Sequence, residues 1–225
     1  MTHYENALYA NIMNKVSFAY SNNVDIVNSY ATPSAFLCVL GGDARFSRLV
    51  GLAVAAYKNS DGGAPERLVK ALTAADCNRL GEKGFVELIC KAKLVDVFAD
   101  EESLSTARGV SAGYLVFTIA HEAGHLSMAH VLSPGYGSKP LDISRNQERE
   151  ADSFASSVIA SSPFGEYVFI GRLFELYARA CCEKNRRETT HPLSIERLQN
   201  LIKANPALAS SLGICGESLP AGEPL

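Results

Sequence analysis

The sequence predicts a mostly helical α+β fold in which the N-terminal half contributes a small β-sheet and one long helix lies buried. Three observations predict this. Extended-looking stretches fall mainly before Gly41, whereas apolar residues elsewhere recur chiefly at helical spacing. The run from Gly113 to His130, GYLVFTIAHEAGHLSMAH, is apolar nearly all round ahead of His121, the pattern of a helix enclosed by other elements. With 225 residues, 47% hydrophobic and 20% charged, the chain has enough apolar surface to close a core around that helix.

Taken in order, Tyr4, Leu8, Ile12 and Val16 predict a packing helix over residues 3–20. Val24 to Leu40 reads as extended, interrupted by Thr32-Pro33, with Gly41-Gly42-Asp43 as its closing turn. Val50 to Tyr57 fits either a helix or a further strand. Residues 60–65 form a loop, and Pro65 opens a helix running to Arg79. Phe85 to Lys93 is expected to be helical, Val95 to Ala99 a short strand by its alternation, and Asp100 to Ser105 an acidic loop. The central helix then starts near Ser105 or Ser111 and stops before Ser133-Pro134-Gly135. Ser144 and Gln147 have the spacing of a capping box for the next helix. Arg172 to Cys182 forms a core helix, and Pro192 starts the last one.

Composition excludes several classes. A net charge of -3 with scattered Lys and Arg leaves no electrostatic footprint for nucleic acid, and Lys184-Asn185-Arg186-Arg187 reads as a solvated loop. The longest apolar runs are about ten residues, half of what a spanning helix needs, so no membrane insertion is expected. The N-terminus lacks a signal-peptide pattern, and Cys38, Cys77, Cys90, Cys181, Cys182 and Cys215 show no paired spacing. A cytoplasmic protein with reduced thiols is the expectation.

The chemistry lies in His121-Glu122-Ala123-Gly124-His125. Residues four apart share a helix face, so both imidazoles can reach a single metal ion. Glu122 sits about 100° round the helix, within reach of a water on that metal without being a ligand. This is the spacing of a zinc hydrolase, and such a site needs a third protein ligand and an open fourth position. Glu148 and Asp152, one turn apart, are candidates, Glu148 for the metal and Asp152 for the distal N–H of a ligand histidine; taken alone, they read more readily as an acidic, solvated helix start favoured by the dipole. Ala151 and Ala155 are small enough to let the two helices approach closely. Glu150 points away and is expected in solvent, with the substitute ligand role if the register shifts. His130, projected along a continuing helix, falls about 180° from His121 and is expected to cap the helix end or make a structural hydrogen bond.

The segments His121–His125 with His130, Asn146-Gln147-Glu148-Arg149-Glu150-Ala151-Asp152, and Thr190-His191-Pro192 with Arg197 resemble the HtpX and CAAX-prenyl-protease family of zinc endopeptidases. The resemblance covers residues 112 to 204 and implies a zincin-like core of gluzincin type. It implies His121, His125 and Glu148 as ligands of Zn2+, Glu122 as the base that activates water, Asp152 as support for a ligand, and His191 and Arg197 near the substrate. In the resulting scheme His191 stabilises the oxyanion, and Arg197 assists it or partners Asp152. Many members of that family carry transmembrane helices, whereas this sequence has no such segment. The expected organisation is residues 1–110 as a helix and strand region forming part of the cleft, 111–205 as the metallopeptidase core and 206–225 as a tail. By analogy, the strand Ala35 to Leu40 could be the cleft edge on which a peptide lies extended. The expected function is zinc-dependent hydrolysis of an intracellular protein or peptide. The alternatives are a protease that cuts a single partner, of the phage-exclusion or repressor-cleaving kind, and a non-catalytic binding module with a zinc site.

Overall fold

A computed structural model of the chain describes residues 17–21, 25, 27, 29–32, 36–75, 79–132, 140–182 and 193–211. Strands β1 (Ser17–Ser21), β2 (Ser29–Ala31) and β3 (Phe36–Leu40) form a sheet in the order β1-β3-β2. β3 runs parallel to β1, with Ser17 opposite Phe36, and antiparallel to β2, with Tyr30 opposite Cys38. The N-terminal sheet is therefore present as expected, with one correction. Ser17–Ser21 is strand rather than the end of a helix, because its backbone pairs with β3 along its whole length, from Ser17 opposite Phe36 to Ser21 opposite Leu40. Residues 3–16 of that expected helix lie outside the described residues.

Leu40, still extended, leads directly into α1 (Gly41–Lys58). The turn expected at Gly41–Asp43 is instead the first turn of this helix, where a carboxylate is favoured by the unsatisfied N–H groups. Asp43 is buried there and accepts hydrogen bonds from the Ser29 hydroxyl at 2.6 Å and from the Tyr114 hydroxyl. The ambiguous Val50–Tyr57 is thus helical. α2 (Ala64–Thr73) has Pro65 in its first turn, as predicted, but ends before Arg79; α3 (Glu82–Lys91) follows. Val95–Ala99 is a 3-10 turn, not a strand, in which only Val97 is buried.

Helix α4 (Glu101–Ser127) is 27 residues long, about 40 Å at 1.5 Å per residue. It starts earlier than expected. Asp100 caps it by accepting from the Ser103 backbone N–H at 2.8 Å, so the acidic stretch read as a loop is the helix's first turn. α5 (Leu141–Ser161) starts just after Pro140, which places Ser144 and Gln147 inside the helix rather than at its cap. α6 (Gly165–Cys182), α7 (Ser194–Ala204) and the short α8 (Pro206–Ser211) complete the fold.

α4 is the axis of the molecule. Its Val110 and Tyr114 enter one apolar cluster with Leu49 and Val50 of α1 and Leu68 of α2. Phe117 and Ala120 enter a second with Ile159, Phe169 and Leu198. Ala123 and Leu126 enter a third with Ala31 and Leu37 of the sheet. Each fully buried large side chain contributes about 1.5–3 kcal/mol, so the helix is held from every side. At Gly113 a Cβ would come within 2.5 Å of the Tyr167 carbonyl oxygen, so α6 packs backbone-close there and only glycine fits.

The inner face of α6 carries Arg172, Glu175 and Arg179. Glu175, 1% exposed, accepts from both arginines; Arg179 also lies 3.4 Å from the Tyr114 hydroxyl, and the Arg172 guanidinium sits 4.4 Å above the Phe117 ring. Such charges are tolerable inside a protein only because each is paired. No helix among the described residues is long and apolar enough to cross a membrane.

Candidate metal centre

His121 and His125 lie one turn apart on α4, both buried, with their Nε2 atoms 3.2 Å from each other. α5 brings in Glu148, whose Oε2 is 3.2 Å from His121 Nε2 and whose Oε1 is 3.3 Å from His125 Nε2. The approach depends on small residues, as predicted for Ala151 and Ala155, which are fully buried. A Cβ on Gly124 would lie 3.2 Å from Ala151 Cα, so the pair of helices meets across a glycine and an alanine.

The donor set fits a metal ion. Three ligand atoms, two imidazole nitrogens and one carboxylate oxygen, all lie within 4.8 Å of one another. Ligands held at about 2.0–2.1 Å in a tetrahedron are separated by about 3.3 Å, close to the spacing found. The local field also favours a cation. Burial disfavours charge on His121, yet hydrogen bonds and charge from Asp152 and Glu148 outweigh it and carry the imidazole up to about 9.

Asp152 stands behind His121, with Oδ1 3.0 Å from Nδ1. It accepts two hydrogen bonds from Arg197, Nε to Oδ2 at 2.7 Å and Nη2 to Oδ1 at 2.8 Å. Burial raises the Asp152 carboxyl, but the Arg197 charge and the bonds from Arg197 and His121 hold it well below the usual carboxylate range. Arg197 is thus engaged on the Nδ1 side of His121. Arg172 adds a longer contact to Asp152 Oδ1 at 3.5 Å.

Glu122 follows His121 on the helix and is partly buried. Burial pushes its carboxyl up, and the Glu148 charge adds to this, against the pull of His121, His125 and the Ala31 backbone N–H. Ala31 belongs to β2, so the strand beside the site is β2, an edge of the sheet. The expectation that Ala35–Leu40 forms a cleft edge is corrected here: β3 is the central strand, flanked on both sides.

The predicted set is therefore largely assembled: His121, Glu122, His125, Glu148, Asp152 and Arg197 converge. His191 lies outside the described residues. Three neighbours were not predicted. His130 Nδ1 is 3.1 Å from His125 Nδ1, and its Nε2 is 2.9 Å from Glu150 Oε2. The structural hydrogen bond expected of His130 exists, but it is made to His125, and Glu150 continues the same chain of contacts. Arg172 is the third; its only sequence signal was Glu175 three residues on, a spacing that pairs charges on any helix.

Two helices thus present two histidines and a glutamate to one point, with a second glutamate beside them, an arrangement that could hold a metal ion. Residues 84–212, more than half of the chain, match the profile described as Peptidase U49, and the chain belongs to that peptidase family. Neither the curated proteins nor the solved structures include a match.

Proposed function

We propose that the chain is a zinc-dependent endopeptidase that hydrolyses peptide bonds of a cytoplasmic protein. The observation that carries this reading is the convergence of His121 Nε2, His125 Nε2 and Glu148 within 3.3 Å of each other, with Glu122 adjacent, in a member of a peptidase family. Two nitrogens and one oxygen suit zinc, and three protein ligands leave a position for water and substrate. The resemblance to the HtpX and CAAX-prenyl-protease enzymes points the same way, and the free thiols of Cys38 and Cys90 suit a reducing compartment.

Bound there, zinc would lower the pKa of a water to about 7 and polarise the scissile carbonyl. Glu122 would be the base that takes a proton from the attacking water and returns it to the leaving amine nitrogen; a carboxyl raised by burial is suited to both transfers. Asp152 keeps the Nδ1 proton on His121, so that Nε2 presents its lone pair to the ion. Arg197 fixes Asp152, and His191 donates to the oxyanion. The substrate lies extended along β2, whose Ala31 N–H faces Glu122. Residues 1–110 contribute this wall, and 111–205 carry the chemistry.

Digestion of a peptide library and of a cell lysate, before and after chelation, tests the reading. Chelation should abolish cleavage and stoichiometric zinc restore it; cleavage indifferent to chelator contradicts the proposal. Cleavage confined to one lysate protein would identify the chain as a single-partner protease, whereas tight zinc binding without any cleavage would make it a binding module.

A further inference from the structure

We propose that His130 and Glu150 are positioning residues for the metal, acting through His125 as a carboxylate–histidine–histidine relay. The inference rests on the metal reading above and adds to it how the second ligand is held. His121 is backed directly by Asp152, whereas among the described residues the partner at His125 Nδ1 is His130, at 3.1 Å.

The protons in this chain can be assigned. A ligand histidine offers the Nε2 lone pair, so its Nδ1 carries the hydrogen. His125 Nδ1–H then donates to His130 Nδ1, which must be the bare nitrogen of a neutral ring. His130 Nε2 consequently carries the hydrogen and donates to Glu150 Oε2 at 2.9 Å. With these assignments the donors run in one direction, from His125 through His130 to Glu150. Glu150 is itself oriented, since Asn146 Nδ2 donates to its Oε1 at 2.9 Å. His130 is 5% exposed, so its ring is held by packing and shielded from water that would compete for both nitrogens.

The backbone supports the same assignment. α4 ends at Ser127, and Ala129 adopts φ 56°, a left-handed conformation that a residue with a Cβ occupies at a cost. That residue folds the chain back so that the short 3-10 turn His130–Leu132 sets the His130 ring against His125, with ring centroids 5.2 Å apart. Partners of metal-bound histidines set the tautomer and ring orientation, and their loss lowers metal affinity by about 10–100-fold.

The test is zinc affinity by competition with a chromophoric chelator, alongside thermal unfolding of the chelator-treated protein, for wild type, His130→Leu, His130→Gln and Glu150→Ala. His130→Leu should weaken zinc binding by about 10–100-fold. Glu150→Ala should weaken it by less, without abolishing it. His130→Gln should recover most of the affinity, because the amide oxygen and nitrogen reproduce one acceptor and one donor. A wild type that fails to bind zinc overturns the metal reading itself. A wild type that binds, with His130→Leu and Glu150→Ala equally tight, overturns the relay alone, and so does a His130→Leu protein that melts earlier yet holds zinc normally. Should His130→Leu fail to fold, the Glu150→Ala and His130→Gln affinities decide the question.

Discussion

Asp152 is the residue where the candidate metal site and the buried ion pairs meet. It orients His121, neutralises Arg197 and touches Arg172, all with little access to solvent. Asp152→Asn should therefore damage two properties at once. Arg197 would keep its charge in a buried place with its counter-ion gone, which costs about 3–5 kcal/mol, and thermal unfolding will register the loss. Zinc affinity should fall by about 10–100-fold, as measured by chelator competition. The residues legible in the sequence share a cause with this one. His121 and His125, like Glu148 and Asp152, are spaced by four within a helix, and that spacing fixes their common face whatever the fold around them. His130 was not legible, because projecting it round the axis assumed that α4 continues. The helix stops at Ser127 and Ala129 reverses the chain, a change that no periodicity reveals.

At the scale of elements, α6 places a charged stripe against the core. Burial pushes the Glu175 carboxyl up, but the charges of Arg172 and Arg179 outweigh it and hold it below the ordinary 4.5. A carboxyl depressed in the folded state contributes stability that is fully present above its unfolded value and lost as pH falls through its folded one. Unfolding followed from pH 7 down should show this loss below about pH 4.5. Glu175→Gln should remove that part of the acid limb and cost about 3–5 kcal/mol at pH 7, because buried Arg172 and part-buried Arg179 lose their nearest counter-ion and keep only the longer contacts to Asp152 and Asp43. The helices themselves were mostly legible from apolar periodicity; their ends were not. Asp100 read as loop because a capping residue and an acidic first turn have a loop's composition. Gly41-Gly42-Asp43 read as a turn because the partners that hold Asp43 in the first turn of α1, Ser29 and Tyr114, are distant in sequence. Val95–Ala99 alternates like a strand, yet it pairs with no strand among the described residues and folds as a 3-10 turn.

Over the whole molecule, one helix organises both stability and site. α4 enters all three apolar clusters, and its C-terminal half holds His121, Glu122 and His125 between α5 and the sheet. The mostly helical α+β class was legible, since it follows from local pattern. The order of the sheet was not: whether β2 or β3 forms the edge beside Glu122 depends on non-local pairing. As the base of the proposed reaction, Glu122 must serve the reaction and not the ion. Zinc content and cleavage rate of Glu122→Gln, measured on the same preparation, test this most directly. Stoichiometric zinc with peptide cleavage slowed by about 10²–10⁴-fold is the expected result; zinc retained with cleavage at the wild-type rate would remove Glu122 from the role of base.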